Sequence, residues 1–413
     1  MNKFVFSVVV AVVVIELWYY KHVHYDLIPA LSAKKCVRTN SKGPFELFGK
    51  TLDMIDDGCI TIHEFFDLAF RQTSTTNKPH FDNICSFFSW AAYGSETWQL
   101  NPEQSTQIHD FVQHIQKRFH ITFSPGFNVY AKHVRHSLED IEVYHRPLIS
   151  YGLKSILDNL FVRTKMHSLG FKRHSSVLHY WIHPASSKDA IVFIHGISSG
   201  LFSYMEVMSV IREVHPNKTV FLIEYPWILM CHHFNVPATD KFAQEVQSLL
   251  HMHGFAQASF VGHSFGTALC ACVHTRYPDI VTSLYLLDPV CLILPLPFVA
   301  FNFFYREPTS LTEWAIYNLY SREISVSHVL RRHFEWSDHV LYVDDVAPET
   351  SVHVFLAEND EVNCSKTMHK YLLKHDKNNN VRVTYKTNMG HSDILHKPNE
   401  AHAFFAAGVT VCT

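Results

Sequence analysis

The chain has 413 residues, 47% of them hydrophobic and 18% charged, with a formal net charge of −3. This describes a folded protein of one large or two ordinary domains and excludes a disordered chain or a polyanion binder such as a DNA-binding protein. The 31 histidines include no HExxH and no Cys/His spacing of a zinc site. The nine cysteines follow no framework spacing, which leans towards a reducing compartment. Two sequons, at Asn217 and Asn363, lean the other way, but such tripeptides arise often by chance.

The chain opens with one membrane candidate, FVFSVVVAVVVIELWYY (4–20), which contains Glu16. As a helix it would reach roughly 25 Å, slightly short of a ~30 Å hydrocarbon core. Bulky Leu17, Trp18, Tyr19 and Tyr20 follow the apolar stretch, where a cleaved signal would show small residues. Trp and Tyr there suit a membrane interface. The expectation is therefore an uncleaved anchor over 1–22 in an endomembrane such as the endoplasmic reticulum; a cleaved signal and a core helix are the alternatives. Lys21, Lys34, Lys35, Arg38 and Lys42 follow the span and only Lys3 precedes it. That places the body in the cytosol, with a lumenal or secreted body as the alternative.

Residues 23–165 read as helices and loops. PEQSTQIHDFVQHIQKRF (102–119) has helical apolar spacing, and DNICSFFSWAAYG (82–94) is an aromatic helix ending at a glycine. The stretch 53–64 has the outline of an EF-hand loop: Asp53, Asp57, Gly58, Ile60 and Glu64 occupy matching positions. Ile55, however, stands where an oxygen ligand belongs. A helix–turn–helix with acidic surface residues is the simpler expectation.

From residue 168 the pattern changes. Strand-like runs at 176–183, 190–196, 219–225, 258–264, 283–288, 351–360 and 381–387 alternate with helical segments at 203–214, 240–254, 266–277, 365–375 and 398–407. Such alternation predicts an α/β fold, a mostly parallel sheet covered by helices on both faces. The domain would run over 166–413, interrupted by an insertion at 291–348.

Within it, FVGHSFGTALC (260–270) places Ser264 between Gly262 and Gly266, after a buried-type strand and before a helix. Only 14 glycines occur in the chain, so a G-x-S-x-G bracketed by strand and helix is informative. A serine nucleophile needs a base, and the base needs a carboxylate to hold it. His391, in NMGHSD, follows the last strand, and Asp360, in FLAENDEV, follows the strand before it. Asp288, in YLLDPV, ends the strand after Ser264 and is the alternative acid. His195 and His263 have the simpler expectation of bracing turns, and Asp393 that of facing solvent. Arg331 and Arg332 read as surface residues or, alternatively, as partners of a carboxylate or phosphate. The HFEWSD stretch (333–338) fits a loose acyltransferase pattern that chance explains.

On these residues, 168–413 resembles the α/β-hydrolase superfamily of esterases and lipases. The resemblance implies a Ser264–Asp360–His391 triad. It also implies an oxyanion hole from the backbone N–H groups of Phe265 and of Ile197, which follows IHG (194–196). HRPLISY (145–151) and RRHFEW (331–336) are more loosely similar to fungal-type α/β-hydrolases with a long helical N-terminal region. The insertion 291–348 lies where lids sit in this fold, and its apolar LILPLPFVAFNFFY suits an acyl pocket. The expected activity is hydrolysis of a lipid or other lipophilic ester at a membrane, with no metal, organic cofactor or nucleic acid involved. An acyltransferase, a thioesterase or a non-catalytic binding protein are the alternatives.

Overall fold

The computed structural model describes residues 3–34, 43–71, 77–175 and 178–408. Runs that are mostly apolar become central strands, because both faces of a helix-covered parallel sheet are buried. β3 (Ala190–Ile194), β4 (Thr219–Glu224), β5 (Ala258–His263) and β6 (Val281–Leu287) follow this rule. With β1 (Lys172–Ser175), β2 (His179–His183), β7 (Ser351–Asn359) and β8 (Val381–Gly390) they form one eight-stranded sheet in the order β1-β2-β4-β3-β5-β6-β7-β8. β2 runs antiparallel to β1 and β4; the pairs from β4 across to β8 are parallel. The expected run 176–183 begins at two positions outside the described residues. β1 was not expected: all four of its residues, KRHS, are exposed, so no hydrophobic pattern marks it.

Helices Met205–Val214 and Pro398–Ala407 cover one face through Met208, Ile211, Phe404 and Phe405. Helices Thr239–Met252, Phe265–Arg276 and Ser365–His375 cover the other through Phe242, Val246, Leu269 and Tyr371. The insertion between β6 and β7 folds into short helical pieces. These are Phe298–Ala300 continued by Phe301–Tyr305, Leu311–Ala315 continued by Ile316–Ser321, and then Ile324–Arg332 and Trp336–His339.

The N-terminal helices Pro44–Asp56, Ile62–Ala69, Phe81–Tyr93 and Pro102–Arg118 are amphipathic, and their apolar stripes need a partner. They find it in the insertion: Phe48, Phe65, Phe87 and Ile108 share a core with Leu292, Phe303 and Phe304. Phe48 stacks on Trp336 at 5.5 Å. Arg331 and Arg332, expected at the surface or as partners of a carboxylate or phosphate, are buried in this seam. Arg331 pairs with Glu139 at 3.2 Å and Glu142 at 3.3 Å, and Arg332 donates to the carbonyl oxygens of Ser32, Ser137 and Glu139. A guanidinium has five donors in a fixed fork, so it can tie together a chain segment that has no regular structure. Segment 119–147 is such a segment, and these bonds hold it.

One other expectation changes, and that of a helix–turn–helix over 53–64 holds. Among the described residues, no helix is long and apolar enough to cross a membrane. Helix Lys3–Lys21 forms, but its end belongs to the protein body. The Glu16 carboxylate accepts the amides of Leu148 and Ile149 at 2.9 and 3.0 Å, and Tyr19 is buried and bonded to His232. The charge inside the apolar stretch is thus a cap for helix Leu148–Leu157, whose own N-cap residue, Pro147, supplies none. In the loop 53–64, Asp53 and Asp56 pair with Arg118, and Glu64 closes a capping box with Thr61. Those carboxylates serve a helix–turn–helix.

Replacing Arg331 by Met removes the buried partner of an ion-pair cluster whose carboxylates keep other partners, Glu139 with Arg71 and Tyr305 and Glu142 with Arg322. Thermal unfolding should show a lower Tm, corresponding to a loss of about 2 kcal/mol from the charge-assisted hydrogen bonds removed. An unchanged Tm would mean the seam is held by its apolar contacts alone.

Candidate active site

Strand β5 ends at His263, and helix Phe265–Arg276 begins two residues later. Ser264 makes the turn with φ 50° and ψ −120°, a left-handed conformation that costs a non-glycine residue about 1–3 kcal/mol. The turn is possible because its flanking residues lack Cβ atoms. A Cβ on Gly266 would run into the carbonyl oxygen of Ile194, and one on Gly262 would lie 2.8 Å from the Thr267 backbone. The helix start therefore packs directly on the end of β3. Thr267 Oγ1 donates to the Ser264 carbonyl at 2.6 Å and accepts the Val290 amide at 3.0 Å, which locks the turn to the next strand's exit.

His391 follows β8. Its Nε2 lies 2.9 Å from Ser264 Oγ, and its Nδ1 lies 2.9 Å from Asp360 Oδ2. The other oxygen of Asp360 accepts the amides of Val362 and Asn363, so the carboxylate is fixed in orientation. The structure thus joins Ser264, His391 and Asp360 in one chain of hydrogen bonds. Asp288 stands beside the chain but does not touch the imidazole nitrogens. It is buried and accepts the amides of Ser392 at 2.9 Å and Ala357 at 3.3 Å. Its carboxylate holds the loop that carries His391.

Three supporting residues were missed from sequence. Glu361 accepts the His391 backbone amide at 2.9 Å. Tyr204 donates to His263 Nδ1 or accepts from it at 3.1 Å, and its oxygen accepts the Gly196 amide at 2.9 Å. Thr267 is the third. None carries a motif; only Glu361, adjacent to Asp360, offered a signal. His195 is fully buried and bridges the Gly196 carbonyl and the Tyr225 amide, and His263 bridges Tyr204 and Ser392. Both brace turns. Asp393 is half-exposed and pairs with Lys397.

Charge distribution follows from burial and neighbours. Burial disfavours the His391 imidazolium, but the Asp360 carboxylate outweighs it, helped by Asp288 and Glu361, and lifts His391 to about 9. Asp288 is pushed up to about 7, first by burial and then by Asp360, while His391 pulls it down. His263, wholly buried and facing the same imidazole, is driven well below its ordinary value. Asp360 thus favours the imidazolium that forms when His391 takes a proton, while the neighbouring His263 is held neutral by burial.

Ser264 opens onto a cavity of about 310 Å³ with a largely apolar lining. Ile197 and Phe265 border it beside the serine. Their backbone N–H groups have no acceptor among the described residues, and the Phe265 amide opens a helix, where the dipole favours negative charge. The insertion supplies Phe303, Phe304, Ile316 and Phe334 to the walls. The N-terminal region supplies Phe48, Phe65, Phe87 and Trp90, a contribution not foreseen from the sequence. Among the described residues no cluster of His, Cys, Asp and Glu could hold a metal ion.

No protein-family model matches the chain, and neither does any curated protein sequence. Solved structures do. A bacterial membrane phospholipase A matches with 16% identity and a TM-score of 0.44, over 63% of this chain and 94% of its own. A lipase from Acinetobacter baumannii matches with 13% identity and a TM-score of 0.43, over 62% and 95%. The carboxylesterase CesB of Bacillus subtilis matches with 13% identity and a TM-score of 0.41, over 62% and 100%. The strand order, the lone antiparallel β2 and the strand–serine–helix turn are those of the α/β-hydrolase fold.

The imidazole of His391 should titrate above its ordinary value of about 6.5. Stability carried by its protonated form is complete below that value and lost as pH rises through about 9. Proton NMR of the wild type, assigned against His391→Gln, reads the titration directly. Asp288→Asn should move it downward, since one carboxylate facing the ring is gone. An unshifted titration in that variant would show that Asp288 acts on the loop backbone only.

Proposed function

We propose that this protein hydrolyses lipophilic carboxylic esters through an acyl-serine intermediate. The observation that carries the reading is the Asp360–His391–Ser264 chain of hydrogen bonds ending on an apolar cavity. Ser264 Oγ attacks the ester carbonyl as His391 Nε2 takes its proton. The resulting oxyanion lies against the amides of Ile197 and Phe265, which have no other acceptor to give up. Asp360 keeps the His391 tautomer that presents Nε2 to the serine and stabilises the imidazolium. His391 then protonates the leaving alcohol, and a water deprotonated by the same ring releases the acid. Oxygen, hydrogen and charge balance over the two half-reactions without a metal or organic cofactor. The apolar walls favour an acyl chain over a polar one, because desolvating polar groups there would find no partner.

Labelling with a fluorophosphonate probe tests the nucleophile. It should be lost in Ser264→Ala and fall in Asp360→Asn far more than in Asp288→Asn. Hydrolysis of a long-chain ester should drop on the order of 10⁴-fold in kcat for Asp360→Asn. Product analysis with an added alcohol separates hydrolysis from acyl transfer. A folded wild type that neither labels nor turns over any ester defeats the proposal.

Cavity shape should set chain-length preference. Ala300 lines the cavity and is partly exposed. Ala300→Phe should lower kcat/KM for a long-chain ester by at least about tenfold while sparing an acetyl ester. Equal losses on both substrates would place the acyl chain elsewhere.

A further inference from the structure

Helix Leu148–Leu157 runs on through Asp158–Val162 into Arg163–Ser168. Its apolar and polar faces are reversed from what water demands. Ile149, Leu153, Ile156, Leu157, Leu160 and Phe161 are each 44–65% exposed, and five of them fall at i, i+4, i+7, i+8 and i+11, on one face. The inner face carries the polar work: Tyr151 donates to Glu323 at 2.8 Å, and Lys154 pairs with Asp158 at 2.8 Å and donates to Cys231. Val162 and Met166 anchor the far end in the core.

Two neighbours extend this exposed face. Helix Lys3–Lys21 is joined to its start by the Glu16 cap, and every described residue from Val9 to Ile15 is exposed, on all sides of the helix. A helix that is apolar all round belongs in an apolar medium. From Val9 to Trp18 it is about 15 Å long, half of a ~30 Å hydrocarbon core and hence one leaflet deep. On the other side, Arg146 donates to the carbonyls of Asn318 and Leu319 at 2.7 and 2.6 Å. It thereby ties the same segment to the insertion's Leu311–Ser321 arm, where Leu311, Trp314 and Leu319 are exposed and Thr312, Ala315 and Ile316 line the cavity.

We propose that these three elements form one seat on a lipid bilayer, with helix Lys3–Lys21 dipping into a single leaflet, helix Leu148–Ser168 lying along its surface, and the cavity's rim beside them. The charges favour this occupant over a second copy of the chain. Arg163, Lys165 and Lys172 are exposed at the end of the stripe, and the one acid within 148–168, Asp158, is already paired with Lys154. Cationic groups flanking an apolar stripe complement anionic headgroups and would repel their own kind. The ester-hydrolase reading enters only in explaining why the cavity rim belongs beside the lipid; the seat itself is measured without turnover.

The test is co-sedimentation of the full, detergent-free chain with vesicles of phosphatidylcholine, alone or mixed with phosphatidylserine. Wild type should sediment with both, more with the anionic mixture, and lose that increment at high salt. Ile156→Glu/Leu160→Glu should lower the partition coefficient at least about tenfold. Arg163→Glu/Lys165→Glu should remove only the anionic increment. Near-UV circular dichroism checks that the variants fold, and the milder Leu153→Ser should show a partial loss. The proposal is overturned if wild type stays in the supernatant, or if Ile156→Glu/Leu160→Glu sediments like wild type. It is equally overturned if light scattering finds a dimer that this variant dissociates and that ignores vesicles. Loss of the ester reading, seen as no labelling at Ser264, would leave vesicle binding intact.

Discussion

The placement of Ser264 depends on a backbone-to-backbone contact. Helix Phe265–Arg276 starts so close to the end of β3 that the carbonyl oxygen of Ile194 occupies the space a side chain on Gly266 would need. That contact forces the left-handed turn at Ser264, lifts its hydroxyl above the sheet's carboxyl edge and aims the helix's first amide at the same point. The strain is affordable because the surrounding β5 and helix core are wholly buried and over-determine the turn.

Around this point the site is built from ends of strands far apart in sequence. Asp288 leaves β6, Asp360 leaves β7 and His391 leaves β8. Parallel order brings all three exits to one edge. Two buried carboxylates beside one imidazole divide the work. Asp360 holds the ring nitrogen, and Asp288 holds the backbone of the loop that carries the ring. The arrangement also explains why Asp288 stood as an alternative to Asp360 in the sequence: both stand at strand exits, and the direction of their oxygens separates them.

The cavity shows what the helical N-terminal region is for in this architecture. Its aromatic stripes and those of the insertion cannot be buried alone; each covers the other, and the space left between them is the pocket in front of Ser264. The buried arginines of the insertion secure the extended segment that connects this cover to the sheet. Cover and chemistry therefore share a core.

The sequence by itself determined the alternation of strands and helices, the elbow at Ser264 and the Ser, Asp, His order, because each is a local pattern. Period, glycine spacing and turn position are written within a dozen residues. It did not determine β1, whose four exposed residues carry no pattern, nor the role of Glu16, which read as a flaw in an apolar span and is a cap for a helix some 130 residues away. Tyr204 and Thr267 are likewise silent in sequence, since a polar side chain's burial depends on partners brought by distant segments. Only the tertiary structure decided between Asp360 and Asp288 as the partner of His391, and only it turned the apolar faces of the N-terminal region towards the pocket. Both are matters of direction in space, which a one-dimensional pattern does not hold.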